Sequence, residues 1–215
     1  GDFNMKDTNA LLEIADSDIL QVIDFDGDGK HELMVTKGYE STATKIYTFN
    51  ISSGNATANE IASMGQPNGN HKIYPGDFNG DGKTDILLRN RNLNAYEWYM
   101  GLNNGDNFNF IPFTFNPTYT VADKILLDDY NADGKTDISR AYNNGTDRKV
   151  EVYYCLGTEF LYKSDGRLYE FQNTETNLLS GDFNGDGKAD IINLRGHDTY
   201  APAEVIKLNN SNQHF

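Results

Sequence analysis

The sequence predicts an all-β chain in which four repeated units, each of four short antiparallel strands, form the blades of a β-propeller. Three observations predict it. An acidic nine-residue loop recurs four times, beginning at Asp24, Asp77, Asp129 and Asp182, and such near-constant spacing marks a repeat architecture. Each interval holds the same succession of β-type runs punctuated by turn residues. No stretch carries a long apolar stripe of helical period, so helices are expected to be minor or absent.

The elements follow when the four intervals are superposed. An apolar run leads into each loop, over Ile19–Ile23, Lys72–Tyr74, Lys124–Leu127 and Asn177–Leu179. A second run leaves it, over Glu32–Thr36, Asp85–Arg89, Asp137–Ala141 and Asp190–Leu194. A third follows a polar turn, over Lys45–Ile51, Ala95–Leu102, Lys149–Leu156 and Glu204–Leu208. A fourth, more variable run closes the unit, over Glu60–Met64, Phe108–Phe115 and Leu168–Phe171. Pro112 and Pro117 fall in or just after a fourth run, an outer edge where a missing N–H is tolerated. The fourth unit has only three runs before the end of the sequence, while Ala10–Ala15 stands before Asp24 as Glu60–Met64 stands before Asp77. The expectation is therefore one propeller domain over 1–215, with blades at about 18–70, 71–122, 123–176 and 177–215 plus 1–17. The N-terminal strand would complete the last blade and close a four-bladed ring. The alternative is part of a larger ring of six to eight blades, whose end sheets would need other partners.

The loops have the residue types of a calcium site. Positions 1, 3 and 5 are Asp24, Asp26 and Asp28 in the first copy. They are Asp77, Asn79 and Asp81 in the second, Asp129, Asn131 and Asp133 in the third, and Asp182, Asn184 and Asp186 in the fourth. Position 9 adds Glu32, Asp85, Asp137 or Asp190, and the carbonyl of Lys30, Lys83, Lys135 or Lys188 at position 7 can complete an all-oxygen shell. Six to eight hard oxygen donors suit Ca²⁺, whereas zinc would want His or Cys. Gly29, Gly82, Gly134 and Gly187 at position 6 allow the tight turn that wraps an ion. An EF-hand is excluded, because its bidentate Glu at position 12 is replaced by Val35, Leu88, Arg140 and Asn193. About four calcium ions are expected.

Composition bounds the function. The net charge is −14, from 32 acidic and 18 basic residues, and most of the excess sits in the loops. Nucleic acid is thereby an improbable partner, and no run is long enough for a membrane-spanning helix. The one cysteine, Cys155, lies in an apolar run and permits no internal disulfide; a buried, inert thiol is expected. Calcium sites of the extracellular class bind at roughly 10⁻⁴–10⁻³ M and fill only outside the cytosol, which places the chain as the mature part of a secreted or cell-surface protein, extracellular or periplasmic.

The loop Asp77-Phe-Asn-Gly-Asp-Gly-Lys-Thr-Asp-Ile86, with its neighbours at Asp24, Asp129 and Asp182, resembles the calcium loop of FG-GAP/VCBS repeats. The resemblance implies a calcium-binding propeller of the integrin α-subunit kind and the metal ligands named above. Ala132 replaces a loop glycine, and the Phe-Gly and Gly-Ala-Pro segments of integrin repeats are absent.

Catalytic motifs are missing from the sequence: there is no Gly-x-Ser-x-Gly, no His-Glu-x-x-His and no Gly-rich phosphate loop. His31, at loop position 8, reads as an exposed loop residue. The chain is expected to be a non-enzymatic binding or scaffold module that mediates protein interaction at the cell surface. A lectin is the alternative, with Tyr96, Trp98 and Tyr99 as candidate stacking rings; superposing Leu102 on Leu156 sets Trp98 opposite Val152 and makes it core. A polysaccharide-processing enzyme is a third reading. The aromatic stretch Phe108–Phe115 is expected to pack against a neighbouring blade.

Overall fold

The computed structural model describes residues 12, 14–38, 44–52, 55–65, 71–90, 98–113, 124–143, 148–168, 176–195 and 204–206. Among these residues every regular element is a β-strand. The first sheet comprises β1 (Ile19–Ile23), β2 (Glu32–Thr36), β3 (Thr44–Ser52) and β4 (Asn55–Met64). The second comprises β5 (His71–Gly76), β6 (Asp85–Asn90), β7 (Trp98–Asn103) and β8 (Phe108–Phe113). The third comprises β9 (Lys124–Asp128), β10 (Asp137–Asn143), β11 (Arg148–Cys155) and β12 (Phe160–Leu168). The fourth has three described strands, β13 (Thr176–Gly181), β14 (Asp190–Arg195) and β15 (Glu204–Ile206). In each sheet the strands lie in sequence order, as local hairpin connections produce. Of the strand expected from Ala10–Ala15 to complete the fourth sheet, residues 10, 11 and 13 fall outside the described residues, as do Tyr96 and Pro117, while Leu12, Ile14 and Ala15 are described and belong to no strand.

Register explains where the sequence reading held and where it slipped. Position 10 of each loop pairs with the third strand, as Leu33 with Tyr47, Ile86 with Gly101 and Ile138 with Tyr153. On that register Trp98 corresponds to Val150, not Val152. Superposing apolar strand ends shifted the alignment by two residues, because β7 ends at Asn103 and β11 at Cys155. The fourth strand of the third repeat is Phe160–Leu168 rather than 168–171. A tight connection, with Leu156 N–H donating to Glu159 C=O at 2.8 Å and Gly157 at φ 100°, returns the chain at once. Lys163, Asp165 and Arg167 break up any apolar run along that strand and hid it from the sequence reading.

The contacts divide the chain into two compact units, residues 1–75 with 82–112 and residues 76–81 with 113–215. In the first, Ile23, Phe25, Met34, Ile46, Ile73, Ile86, Leu88 and Phe108 form the core, with Phe25 edge-on to Phe108 at 5.7 Å. Phe108 and the half-buried Phe110 thus take the packing role expected of the aromatic stretch. In the second, Tyr130, Val150, Val152, Leu178, Ala189 and Ile191 form the core. Full burial of side chains of this size contributes roughly 1.5–3 kcal/mol each. Cys155 is a free, fully buried thiol. A polar network also lies within the second unit. Arg140 pairs with Glu151 at 3.1 Å, and the Tyr142 and Tyr153 hydroxyls donate to the same carboxylate at 2.9 and 2.8 Å.

Candidate metal centres

Each acidic loop joins the first and second strands of a sheet, so its two ends are pinned 4.7–4.9 Å apart on average by the antiparallel pair. Between those pins the chain folds on its own side chains. The position 4 amide donates to the position 1 carboxylate in all four loops: Gly27 to Asp24 at 2.8 Å, and Gly80 to Asp77, Ala132 to Asp129 and Gly185 to Asp182 at 2.7 Å. The position 5 amide donates to the position 3 oxygen, from Asp28 to Asp26 at 3.1 Å and at 2.8 Å in the three copies with Asn79, Asn131 and Asn184. Position 7 amides of Lys30, Lys135 and Lys188 donate to Asp28, Asp133 and Asp186 at 2.8, 2.9 and 2.9 Å. The backbone therefore fixes the side-chain oxygens at positions 1, 3 and 5 by its own amides.

Two left-handed residues make the turn possible. Position 6 has φ between 80° and 84° in Gly29, Gly82, Gly134 and Gly187, as expected. Position 4 is left-handed too, a feature the sequence reading missed: Gly27, Gly80 and Gly185 lie at 79–80°, and Ala132 adopts φ 63°. The repeated Gly-Asp-Gly was the available signal.

In the first loop, carboxylate oxygens of Asp24, Asp26 and Asp28 all lie within 4.8 Å of one another, close enough to share a cation. In the other loops an Asn carbonyl oxygen replaces the middle carboxylate. Position 9 differs from positions 1, 3 and 5. Glu32, Asp85, Asp137 and Asp190 are all buried. The position 2 amides of Phe25, Tyr130 and Phe183 donate to Glu32, Asp137 and Asp190 at 2.7, 3.0 and 3.1 Å. Amides at the end of the third strand donate to the same position, Asn103 to Asp85 and Cys155 to Asp137, both at 2.7 Å. Each bonded oxygen keeps a second lone pair for a cation.

The electrostatics follow this division. Burial pushes the Asp137 carboxyl up to about 7, overcoming the two amides that favour its charged form. Burial likewise raises Glu32, reinforced by Asp26, Asp24 and Asp28. The exposed carboxylates move the other way: Lys30 holds Asp28 below the usual range, and the Gly187 amide does the same for Asp182. Buried and exposed anions converge on one loop, which is the situation a divalent cation relieves. His31 is exposed, as its loop position suggested.

Successive loops are stitched together. The position 8 amide of one loop donates to the position 1 carbonyl of the loop before it: Thr84 to Asp24 at 2.7 Å, Thr136 to Asp77 at 2.6 Å, Ala189 to Asp129 at 2.8 Å. The last residue of the third strand adds a second stitch, to the position 2 carbonyl: Asn103 Nδ2 to Phe25 at 2.7 Å, Cys155 Sγ to Phe78 at 3.1 Å.

Antiparallel sheets of four described strands, three in the last, each carrying an acidic loop and with successive loops stitched together, define a protein built from β-sheet repeats with candidate cation-holding turns. The chain belongs to the FG-GAP-like repeat family, whose profile matches residues 24–88, 77–139 and 129–193. A search of curated proteins gave no match. Among solved structures, a Photorhabdus luminescens Tc holotoxin pore is similar at TM-score 0.59 and 18% identity, over 83% of this chain and 8% of that one. A Bacillus licheniformis rhamnogalacturonan lyase is similar at TM-score 0.46 and 19% identity, over 80% of this chain and 38% of that one. The rhamnogalacturonan lyase YesW gives 0.44 and 15%, over 81% and 40%. The chain thus spans a small part of the toxin chain and less than half of either lyase. Among the described residues no helix is long and apolar enough to cross a membrane.

Proposed function

We propose that the chain is a calcium-stabilised, non-enzymatic binding and scaffold module of an extracellular, periplasmic or surface protein, and that it works by protein interaction. One observation carries the interaction reading: large apolar side chains lie exposed at both terminal repeats, Leu20 and Val22 in the first and Leu179 and Phe183 in the last. Contiguous exposed apolar surface usually marks a contact. The Asp24, Asp26 and Asp28 cluster supports calcium, because three hard oxygens within 4.8 Å suit it and offer no soft donor. In this reading the twenty residues at positions 1, 3, 5, 7 and 9 hold the ions, up to four in number.

The four sheets would be successive blades of a propeller. The lectin alternative is weakened at its main candidate, since Trp98 is 1% exposed and stacks on Tyr74 rather than facing solvent.

A glycan array probed in millimolar calcium, and again after chelation, tests the proposal. Folded protein with no glycan signal is the expected result. Calcium-dependent binding to a defined glycan class would overturn the protein-interaction reading in favour of a lectin.

A further inference from the structure

The first acidic loop is shaped in part by a residue 60 positions further along the chain. Asp24, at loop position 1, holds the Gly27 and Gly29 amides with its two carboxylate oxygens at 2.8 and 3.0 Å. Those bonds fix the carboxylate relative to the loop, but they do not fix the main chain of Asp24. That is held from outside. The Asp24 N–H donates to the Thr84 hydroxyl oxygen at 2.9 Å, and the Asp24 carbonyl accepts from the Thr84 N–H at 2.7 Å. Both main-chain groups of one candidate ligand therefore close on a single residue of the following repeat.

Thr84 is itself anchored. Its carbonyl accepts from Asn103 Nδ2 at 3.0 Å, and the same amide group donates at 2.7 Å to the carbonyl of Phe25, next to Asp24. Beside it the stem of Lys83 lies over Gly27, where a Cβ on that left-handed glycine would meet Lys83 Cγ at 3.1 Å. Positions 1, 2 and 4 of the first loop are thus gripped by residues 83, 84 and 103, and Asp24 is one of the three carboxylates that lie within 4.8 Å of one another. The third loop is built differently. The Asp129 carbonyl accepts from the Ala189 N–H at 2.8 Å, but alanine has no hydroxyl, and the Asp129 N–H goes instead to the adjacent Asp128 carboxylate at 3.0 Å. The first loop takes its side-chain acceptor from another repeat, whereas the third carries its own.

We infer that Thr84 is a positioning residue for the first loop, setting the cation affinity of Asp24, Asp26 and Asp28 by acting through Asp24 rather than by ligating. The inference rests on the calcium reading proposed above and names a residue outside the loop that regulates that site. The reason is preorganisation. A cation binds best to oxygens already held in place, and removing a group that orients a metal ligand typically weakens binding about 10–100-fold. Without the hydroxyl the Asp24 N–H loses its acceptor, and the peptide unit that aims the carboxylate is free to tilt.

Calcium titration of the whole chain followed by amide NMR tests it. The position 6 amides serve as reporters, Gly29 for the first loop and Gly134, bonded in the same way to Asp129 at 2.8 Å, for the third. Thr84→Val keeps the volume and loses the acceptor; Thr84→Ser keeps the acceptor and loses a methyl group. In the parent both resonances are expected to move with calcium. Thr84→Val should weaken binding at the first loop at least about 10-fold and leave the third loop unchanged, while Thr84→Ser should keep the parent affinity. Thr84→Ala, which also lacks the hydroxyl, replaces the valine variant if that protein does not fold, with the same expectation. An unchanged first-loop affinity in the variant without a hydroxyl overturns the inference. So does an equal loss at both loops, which would mark a general loosening of the fold, or a serine variant as weak as the valine one. If neither resonance moves in the parent, the calcium reading fails and takes the inference with it; a failure confined to the variants strikes the inference alone.

Discussion

Ala132 shows how tightly the loop geometry constrains a single residue. The other three copies place glycine at this position, and Ala132 alone carries a Cβ at φ 63°, a conformation that costs an L-residue roughly 1–2 kcal/mol. Ala132→Gly relieves that strain and gives back part of the gain through the entropy of the unfolded chain. The expected outcome is a stability increase of up to ~1 kcal/mol in urea titration; a clear loss would mean that the methyl group makes packing contacts worth more than the strain. Cys155 is constrained by burial instead, which pushes its thiol from 9.0 up to about 12. Native protein at pH 8 should therefore resist alkylation by iodoacetamide and react fully once unfolded. The sign of the linked stability follows. The unfolded thiol ionises above about pH 9 while the native one does not, so this contribution is complete below pH 9 and is lost as pH rises towards 12. Tyr142, raised to about 12 chiefly by burial, acts in the same direction above pH 10. Cys155→Ser, which cannot ionise in this range, should lose less stability than the parent between pH 9 and 12.

At the scale of elements, the sheets are held together by stitches as much as by apolar packing. Asn103 is the clearest case. Its amide group donates to the Phe25 carbonyl at 2.7 Å and the Thr84 carbonyl at 3.0 Å, its N–H donates to Asp85, and its side-chain oxygen accepts from Gly105 at 2.8 Å. Asn103→Ala would leave buried carbonyls without donors, and each such group costs about 1–3 kcal/mol. The expected loss is about 2–4 kcal/mol in chemical denaturation, within the range of a disrupted buried network. An effect under about 0.5 kcal/mol, as for an ordinary surface change, would show that the stitch is dispensable. Gly101 makes a related demand through space: a Cβ there would sit 2.7 Å from the Phe110 ring and 3.0 Å from Ile86. A bulky side chain at Gly101 would push β8 away from β6.

For the molecule as a whole, charge dominates. The net charge of −14 falls to about −6 if four Ca²⁺ bind, and self-repulsion among the loop carboxylates falls with it. At 1 mM calcium and a Kd of ~0.1 mM, each site adds ~1.4 kcal/mol and four independent sites about 6 kcal/mol, comparable to the total stability of an ordinary domain. Chelation is accordingly expected to lower Tm by roughly 10–20 °C for a chain of this size. A calorimetric scan unchanged by chelator would remove the metal from the account of stability, and asparagine at Asp24, Asp77, Asp129 and Asp182 should reproduce the chelated melt.

The strands next to the loops were legible in the sequence because four copies in register carry the same signal, and local hairpins turn that signal directly into neighbouring strands. The fourth strand of the third repeat was not, since Lys163, Asp165 and Arg167 alternate along Phe160–Leu168 and make it resemble a loop. Loop chemistry was equally readable at positions 1, 3, 5 and 6, where side-chain type and glycine are local requirements. What the sequence by itself determined is thus the repeat, its acidic turns and the all-β class. The tertiary structure alone decided which equivalent residues are covered. Phe25, Phe78 and Phe183 occupy one loop position, yet the first two are buried and the third is 51% exposed. Identical side chains differ in this way because burial depends on whether another repeat lies across the face, a relation between distant segments that no local pattern encodes.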